Sequence, residues 1–588
     1  MSFKRVCLYL FICVGIWTSS VADDVELPTH EIHFFGQKYF DEAHLQDEMG
    51  VDTASFFQFW KDSTPRLKDK LRPSLRASLK SFYESEGFYD AKFKITNTET
   101  TYTVNIIENE PIRVKNILIE SDHNITHFIK FKKDDIFRTK QFISIKSKII
   151  ASLLKEGYCS YDLDTKAYVD LEKHSVDLEY RLKEGGLCTF GHLTTSGLET
   201  IDESVVKSRV IALEGEVYST ELIQDTSNNL YALHAFDSVV IDVNRKFYNV
   251  VPVDIQFSEL KNPYHTEIGV GYDTYVGPKV HAQITKYNFL GQAQQIGLKT
   301  LWSSREQLLI ANFFKPDLFT LFDRSIDFGG STGYSNLEFD GFKEEKYFLN
   351  AYLEHKNKRL KLRLGVTSES LRIAALDNLG SRQLQQAVNE GNFVLFYPYI
   401  DVVYDGRDSK LNSKYGYYLA GYTEFGLSKN ENSSVYYKTQ LEARVIHTFS
   451  DLTLAAVGKV GVIDDESGKG LPESKYFFGG GSYSNRAYGY RELGVILSPT
   501  QDTINGASSM ANFSLEADYP ILGNLYGAVF TDNTMLTDKA YDFKGEIIST
   551  AGAGVRYMTP IGPFKLDIGF NVADPAQYGI SFQIGQSF

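Results

Sequence analysis

Beyond its first residues the chain holds no apolar run approaching the roughly 20 residues that a membrane-spanning helix needs. Its mean hydropathy of −0.24 agrees, and a helical membrane protein is excluded. Cysteine is scarce, four in 588 residues. Cys7 and Cys13 fall in the extreme N-terminal segment, while Cys159 and Cys188 are left either to pair in an oxidising compartment or to sit as two buried thiols. No group of His and Cys has the spacing of metal ligands. The histidines of the C-terminal half, among them His265, His281, His355 and His447, lie in no motif that sets a base beside a nucleophile. The chain therefore reads as a non-enzyme with neither metal nor cofactor. Positive charge is outnumbered, 61 Lys and Arg against 75 Asp and Glu for a net −14. That argues against nucleic acid, whose phosphates call for a basic footprint.

What is present begins with an export signal. Lys4 and Arg5 precede the apolar stretch from Val6 to Trp17, and Ser20-Val21-Ala22 offers a small-residue cleavage site. Residues 1–22 are expected to leave as a signal peptide. Aromatics make up 14% of the chain, with 37 Tyr and 41 Phe, beside 45 Gly. An exported protein of this composition without a spanning helix suggests a transmembrane barrel, which needs aromatic girdles and alternating strands instead.

Between about Leu27 and Leu260 one unit occurs three times: an amphipathic helix, a tight turn with Gly or Ala beside an aromatic, then two strands. In the first copy Leu71, Leu75, Leu79, Phe82 and Tyr83 form the buried stripe ahead of ESEGFYDAKFKI and TYTVNIIENEP. In the second, Phe142, Ile145, Ile149 and Leu153 precede LKEGYCSYDLDT and SVDLEYRLKEGG. In the third, Leu222, Thr226, Leu230 and Leu233 precede LHAFDSVVIDV and VVPVDIQFSEL. Gly87, Gly157 and Ala235 thus recur at nearly equal intervals. Expected boundaries are 23–111, 112–186 and 187–262, with a barrel over 263–588.

The remainder alternates with period two. In FKLDIGFNV, Phe564, Leu566, Ile568, Phe570 and Val572 oppose Lys565, Asp567, Gly569 and Asn571; TEIGVGY and VYYKTQLEARV behave alike. A lipid-facing side and a wet lumen side produce this pattern, and roughly 20 residues per strand and turn gives about 16 strands. YGISFQIGQSF closes the chain with an aromatic, Phe588.

Residues 475–490, KYFFGGGSYSNRAYGY, are too glycine-rich and polar for an ordinary strand. They resemble the sixth extracellular loop of the BamA/TamA superfamily of outer-membrane assembly proteins, whose hallmark is V-R-G-F/Y. Arg486 and Tyr488 match, Gly479, Gly480 and Gly481 lie upstream, and Asn485 and Ala487 depart from the pattern. The GFYDA and AFDSV turns resemble POTRA modules of β-α-α-β-β order, so the fold expected is three such α+β modules followed by an antiparallel barrel. VVYDGRDSKLNSKYGYYLAG and GAGVRYMTPIGPFKLDIG resemble further barrel segments of the superfamily.

The resemblance implies that Arg486 acts as a latch against lumen acids, for which Glu516 and Asp532 are the candidates. It also implies a weak seam between the first and last barrel strands, carrying Gly269, Gly271, Gly579, Gly585 and Phe588. Three modules fit the TamA branch better than the BamA branch. That branch implies promotion of insertion or secretion of outer-membrane clients such as autotransporters, in contact with outer-membrane lipid. Its expected partner is a TamB-like protein, anchored in the inner membrane and bridging the periplasm. The competing readings are a two-partner-secretion transporter and, from another class, a passive porin.

Overall fold

A computed structural model describes residues 29–51, 64–98, 100–243, 249–273, 277–322, 324–339, 342–375, 385–386, 390–430, 433–466, 470–496, 503–559 and 562–584. The expected signal peptide, Gly585 and Phe588 lie outside them. The chain divides into two compact units. The first holds two complete modules and part of the third; the second holds the rest of the third and a large sheet.

Module one runs β1 (Thr29–Phe35), α1 (Glu42–Glu48), β2 (Arg66–Lys68), α2 (Leu75–Ser85), β3 (Lys92–Asn97) and β4 (Thr101–Ile107). Its sheet order is β2-β1-β4-β3, with β1 parallel to β4. Leu75, Leu79, Phe82 and Tyr83 of α2 are buried against Ile32, Phe34, Tyr102 and Val104, as the stripe requires. Leu71, the fifth member of that stripe, lies instead in a 3-10 turn over Asp69–Ser74, where Pro73 has no N–H to continue an α-helix. One buried charge is satisfied locally. Glu108 accepts from the N–H of Lys38 (2.8 Å) and Tyr39 (3.2 Å) and from the Tyr83 hydroxyl at 3.1 Å.

Module two comprises β5 (Arg113–Ser121), α3 (Thr139–Glu156), β6 (Asp162–Asp170) and β7 (Ser175–Lys183), in sheet order β5-β7-β6. It departs from the expected β-α-α-β-β. A 3-10 turn at Thr126–Phe128 stands where a first helix was expected, and Ile125, Phe131 and Phe137 fill the core from irregular chain beside it. Module three follows the full pattern: β8 (Thr189–Ser196), α4 (Glu203–Lys207), α5 (Thr220–Tyr231), β9 (Phe236–Val243) and β10 (Val250–Glu259), in sheet order β8-β10-β9.

The recurring turn has a common bond. The carbonyls of Gly87, Gly157 and Ala235 accept from the N–H of Ile112 (2.8 Å), Cys188 (2.9 Å) and Leu260 (3.0 Å), the residues that leave each closing strand. Gly87 and Gly157 occupy left-handed backbone, at φ 95° and 101°. In the third copy the left-handed residue is His234, one position before Ala235, so the hydrogen bond is the repeated feature. Cys159 and Cys188 are joined as a disulfide with Cα atoms 5.9 Å apart.

The second unit's sheet has 16 strands, each antiparallel to its neighbours. They are β11 (Tyr264–Asp273), β12 (Gly277–Lys286), β13 (Gln295–Ser303), β14 (Glu306–Leu321), β15 (Arg324–Glu338), β16 (Phe342–Lys356) and β17 (Leu360–Ala375). After a two-residue strand outside the sheet, β18 (Gln385–Gln386), come β19 (Gly391–Asp405), β20 (Tyr415–Lys429), β21 (Ser433–Phe449) and β22 (Leu452–Asp465). Two more short strands follow, β23 (Val495–Ile496) and β24 (Thr503–Asn505); β24 pairs with both β18 and β23. The sheet resumes with β25 (Ser509–Leu522), β26 (Leu525–Thr537), β27 (Ile547–Tyr557), β28 (Phe564–Asn571) and β29 (Tyr578–Ile584).

Its two faces invert the rule for a soluble protein. Val270 is 82% exposed and Trp302 68%, whereas Glu344, Glu424, Asp532 and Arg556 are each 3% or less. Apolar side chains outward and charged ones inward are what a bilayer outside and a polar interior demand. Among the described residues no ladder joins β11 to β29, which are the two ends of the sheet.

Candidate functional site in the barrel interior

The chain between β22 and β25 turns into the interior. Its two arms bind each other: Phe477 N–H to Ala507 carbonyl at 3.0 Å with the reverse bond at 2.7 Å, Gly479 to Leu493 at 2.9 and 3.1 Å, and Gly481 N–H to Tyr488 carbonyl at 2.9 Å. Gly480 and Gly481 take positive φ, 97° and 89°, and a Cβ on Gly480 would strike the Gly489 carbonyl. Leu471, Phe477 and Ala507 join Phe342, Phe393 and Tyr436 from the wall in an apolar core that fills this part of the interior.

At the loop's tip Arg486 is 3% exposed. Its Nε and Nη2 donate to the two oxygens of Asp532, each at 2.9 Å, and its own N–H reaches the same carboxylate at 3.0 Å. Nη1 donates to Glu516 at 2.6 Å and to Asp567 at 3.3 Å. The guanidinium lies 3.3 Å over the Phe530 ring. A planar fork that is always charged can hold three acids from β25, β26 and β28 at once; an ammonium lacks that geometry.

The acids are shared. Arg556 pairs with Asp567 and with Glu516 (3.1 Å), and Lys565 reaches Glu516 at 3.3 Å. Buried charges of both signs are thus interleaved, which offsets a desolvation cost of several kcal/mol per ion.

The residues at which the tip departs from the superfamily motif are accommodated by the wall. Asn485 is fully buried, donates to the Ile548 carbonyl at 3.1 Å and accepts from the Thr550 hydroxyl. Ala487 is also buried but has no left-handed backbone, so its methyl costs no strain. The Tyr488 hydroxyl accepts from Asn571 at 2.6 Å.

Gly579 of β29 pairs with Gly569 of β28. A Cβ on Gly579 would sit 2.5 Å from the Arg486 carbonyl oxygen, and one on Gly569 3.0 Å from the Arg486 carbonyl carbon. These glycines give the loop's main chain a surface to lie on. Gly269 and Gly271 of β11 differ: a Cβ there would meet the side chains of His281 and Lys279. Beside the tip a cavity of about 450 Å³ is lined by Lys279, Glu306, Phe339, Tyr490 and Gly579.

The structure thus brings Arg486 to Glu516 and Asp532. Sequence reasoning missed Asp567, Arg556 and Lys565 as partners, although alternation had already turned Asp567 and Lys565 inward. Asp405 and Arg407 pair with each other at 2.9 Å in the β19–β20 turn, remote in sequence from this cluster. No metal-holding group of His, Cys, Asp and Glu occurs among the described residues.

Comparison with known proteins bears on the family and the fold. The model of the Omp85 superfamily domain matches residues 288–588, and a POTRA model, described as a surface antigen variable number repeat, matches 110–185. The chain is 20% identical over 634 residues to the outer membrane protein assembly factor BamA of Neisseria meningitidis serogroup B, covering 95% of this chain and 78% of that protein. It is 18% identical over 254 residues to BamA of Buchnera aphidicola subsp. Acyrthosiphon pisum, covering 41% of each. The crystal structure of BamA from Haemophilus ducreyi lacking POTRA domains 1–3 superposes with a TM-score of 0.54 at 19% identity, over 80% of this chain and 98% of that one. That likeness concerns the fold.

Proposed function

Because the chain belongs to the Omp85 superfamily, as an outer-membrane barrel with periplasmic POTRA modules, we propose that it promotes insertion of unfolded outer-membrane proteins, autotransporters among them. The observation that carries this reading is the seat of the loop tip. Arg486 is clamped to three late strands while its main chain rests on Gly579 of β29, an end strand of the sheet. A latch seated on a terminal strand is placed to govern whether that strand's edge is free. An unpaired edge is a template for another strand and needs neither nucleotide nor covalent chemistry. Three modules between residue 29 and the barrel support the TamA-type assignment, in which a TamB-like, inner-membrane-anchored protein bridges the periplasm as partner. The apolar core within the interior favours a sideways route over passage through the lumen, and so weighs against the porin and two-partner-secretion readings.

The test is insertion of a labelled client barrel into liposomes with and without the protein, read as the heat-modifiable folded fraction. Acceleration that Arg486→Ala reduces, while the assembly factor's own barrel stays folded, is the expected result. No acceleration across several clients despite a folded barrel overturns the reading.

A further inference from the structure

The loop carries a second charged anchor, eleven residues before the first. A 3-10 turn at Glu473–Lys475 directs Lys475 into a socket on β17 and β20. Its Nζ lies 3.2 Å from Glu424 and 3.6 Å from Glu369, and 3.9 Å over the Tyr397 ring. Both carboxylates are buried, Glu424 at 3% and Glu369 at 8% exposure. Tyr397 donates to Glu369 at 2.9 Å and Tyr422 to Glu424 at 2.5 Å. From the wall, Lys438 Nζ donates to the Lys475 carbonyl at 2.6 Å. The socket belongs to a sector of the sheet separated from the Arg486 acids by β21 and β22.

The connection between the two anchors is stiff. The paired arms run from Phe477–Ala507 through Gly479–Leu493 to Gly481–Tyr488, ending next to Arg486. The Phe477 ring occupies the space that a Cβ on Gly461 of β22 would take, 2.6 Å away. A displacement at Lys475 therefore cannot be absorbed by slack chain before it reaches the tip.

Resting on the latch reading above, we infer that Lys475 is a second positioning residue of the loop: its pairs with Glu369 and Glu424 set, through the bonded arms, whether Arg486 is seated on its acids. Two anchors on one stiff connector share a docking equilibrium, and such coupling is reciprocal. Removing Lys475 also leaves two buried carboxylates facing each other across its place, with Lys346 the nearest other cation to Glu369 at 3.9 Å.

The experiment is amide hydrogen exchange on the full chain without any client, so its failure is distinct from failure to insert one. In Lys475→Met, exchange across residues 483–488 should rise roughly fivefold or more, and Lys475→Arg should restore it. Reciprocally, Arg486→Lys should speed exchange across 473–478. Faster exchange in Lys475→Met confined to 470–477, with the tip unchanged, overturns the inference. If Lys475→Met gives no heat-modifiable barrel, Arg486→Lys decides alone, and unaltered exchange at 473–478 then overturns it.

Discussion

A single glycine on the last strand decides how closely the loop can approach. Gly579→Ala leaves every charge in place but pushes a methyl against the Arg486 carbonyl, a main-chain atom that cannot rotate away. It should slow client insertion nearly as far as Arg486→Ala does, with the heat-modifiable fraction of this barrel unchanged. Gly269→Ala meets only the movable His281 ring and should change the insertion rate less than twofold, within the scatter of surface substitutions. Equal effects from both would return the glycines to a general role in seam flexibility. Arg486→Ala itself leaves Glu516, Asp532 and Asp567 short of a cation, and one lost partner in a buried pair costs about 3–5 kcal/mol. Urea unfolding of the loop region, followed by exchange, measures that loss. Glu516 was legible in the sequence because motif position and alternation agreed; Asp532 rested on motif position alone, because its strand carries apolar residues on both faces. The resemblance also implied that both meet Arg486; what had no signal was the sharing of that cluster with Asp567, Arg556 and Lys565, because Glu516 faces Phe530 and Asp532 faces Ser514 rather than any of these partners. Which acids an arginine joins depends on register and on the path of a loop, and neither has a local signal.

At the scale of elements, the helical stripes and the turn glycines were readable because each follows from periodicity or from a backbone conformation that few residues adopt. The first helix expected in module two was not found, since apolar residues in irregular chain around a 3-10 turn fill the same core volume. The disulfide between Cys159 and Cys188 closes a separation of 29 residues and ties the second module to the start of the third. Replacing both cysteines by Ala should lower stability of this region by roughly 3–4 kcal/mol on the chain-entropy account, measurable as an earlier thermal transition without loss of the first module's. A pH effect belongs to β10. Burial alone would raise the Glu259 carboxyl, but the Thr200 hydroxyl and the N–H groups of Glu199, Thr200 and Ile201 outweigh it and hold it below its ordinary value. A depressed carboxyl stabilises the fold above its unfolded pKa of about 4.3 and loses that contribution as pH falls through the folded value. Melting of the intact chain should therefore drop more steeply below pH 4.3 than melting of Glu259→Gln. Parallel curves would show that the cap contributes nothing.

For the molecule as a whole, the alternation and the aromatic load were enough to give a barrel of about 16 strands, and the sheet has 16. What the sequence did not disclose is that the loop and the wall build an apolar core inside a polar interior. In planar bilayers the intact protein should conduct several-fold less than a chain lacking residues 474–506. A large steady conductance from the intact protein would favour the porin instead.

The shared bond at the module turns also imposes an order in time. Each turn carbonyl waits for an N–H just past its own closing strand, at Ile112, Cys188 and Leu260. A chain threading out of an export channel N-terminus first must deliver the threshold of the next segment before the previous turn can be secured. The modules are thus fastened in sequence as they emerge, and the last is completed only when the residues leading into the first barrel strand arrive.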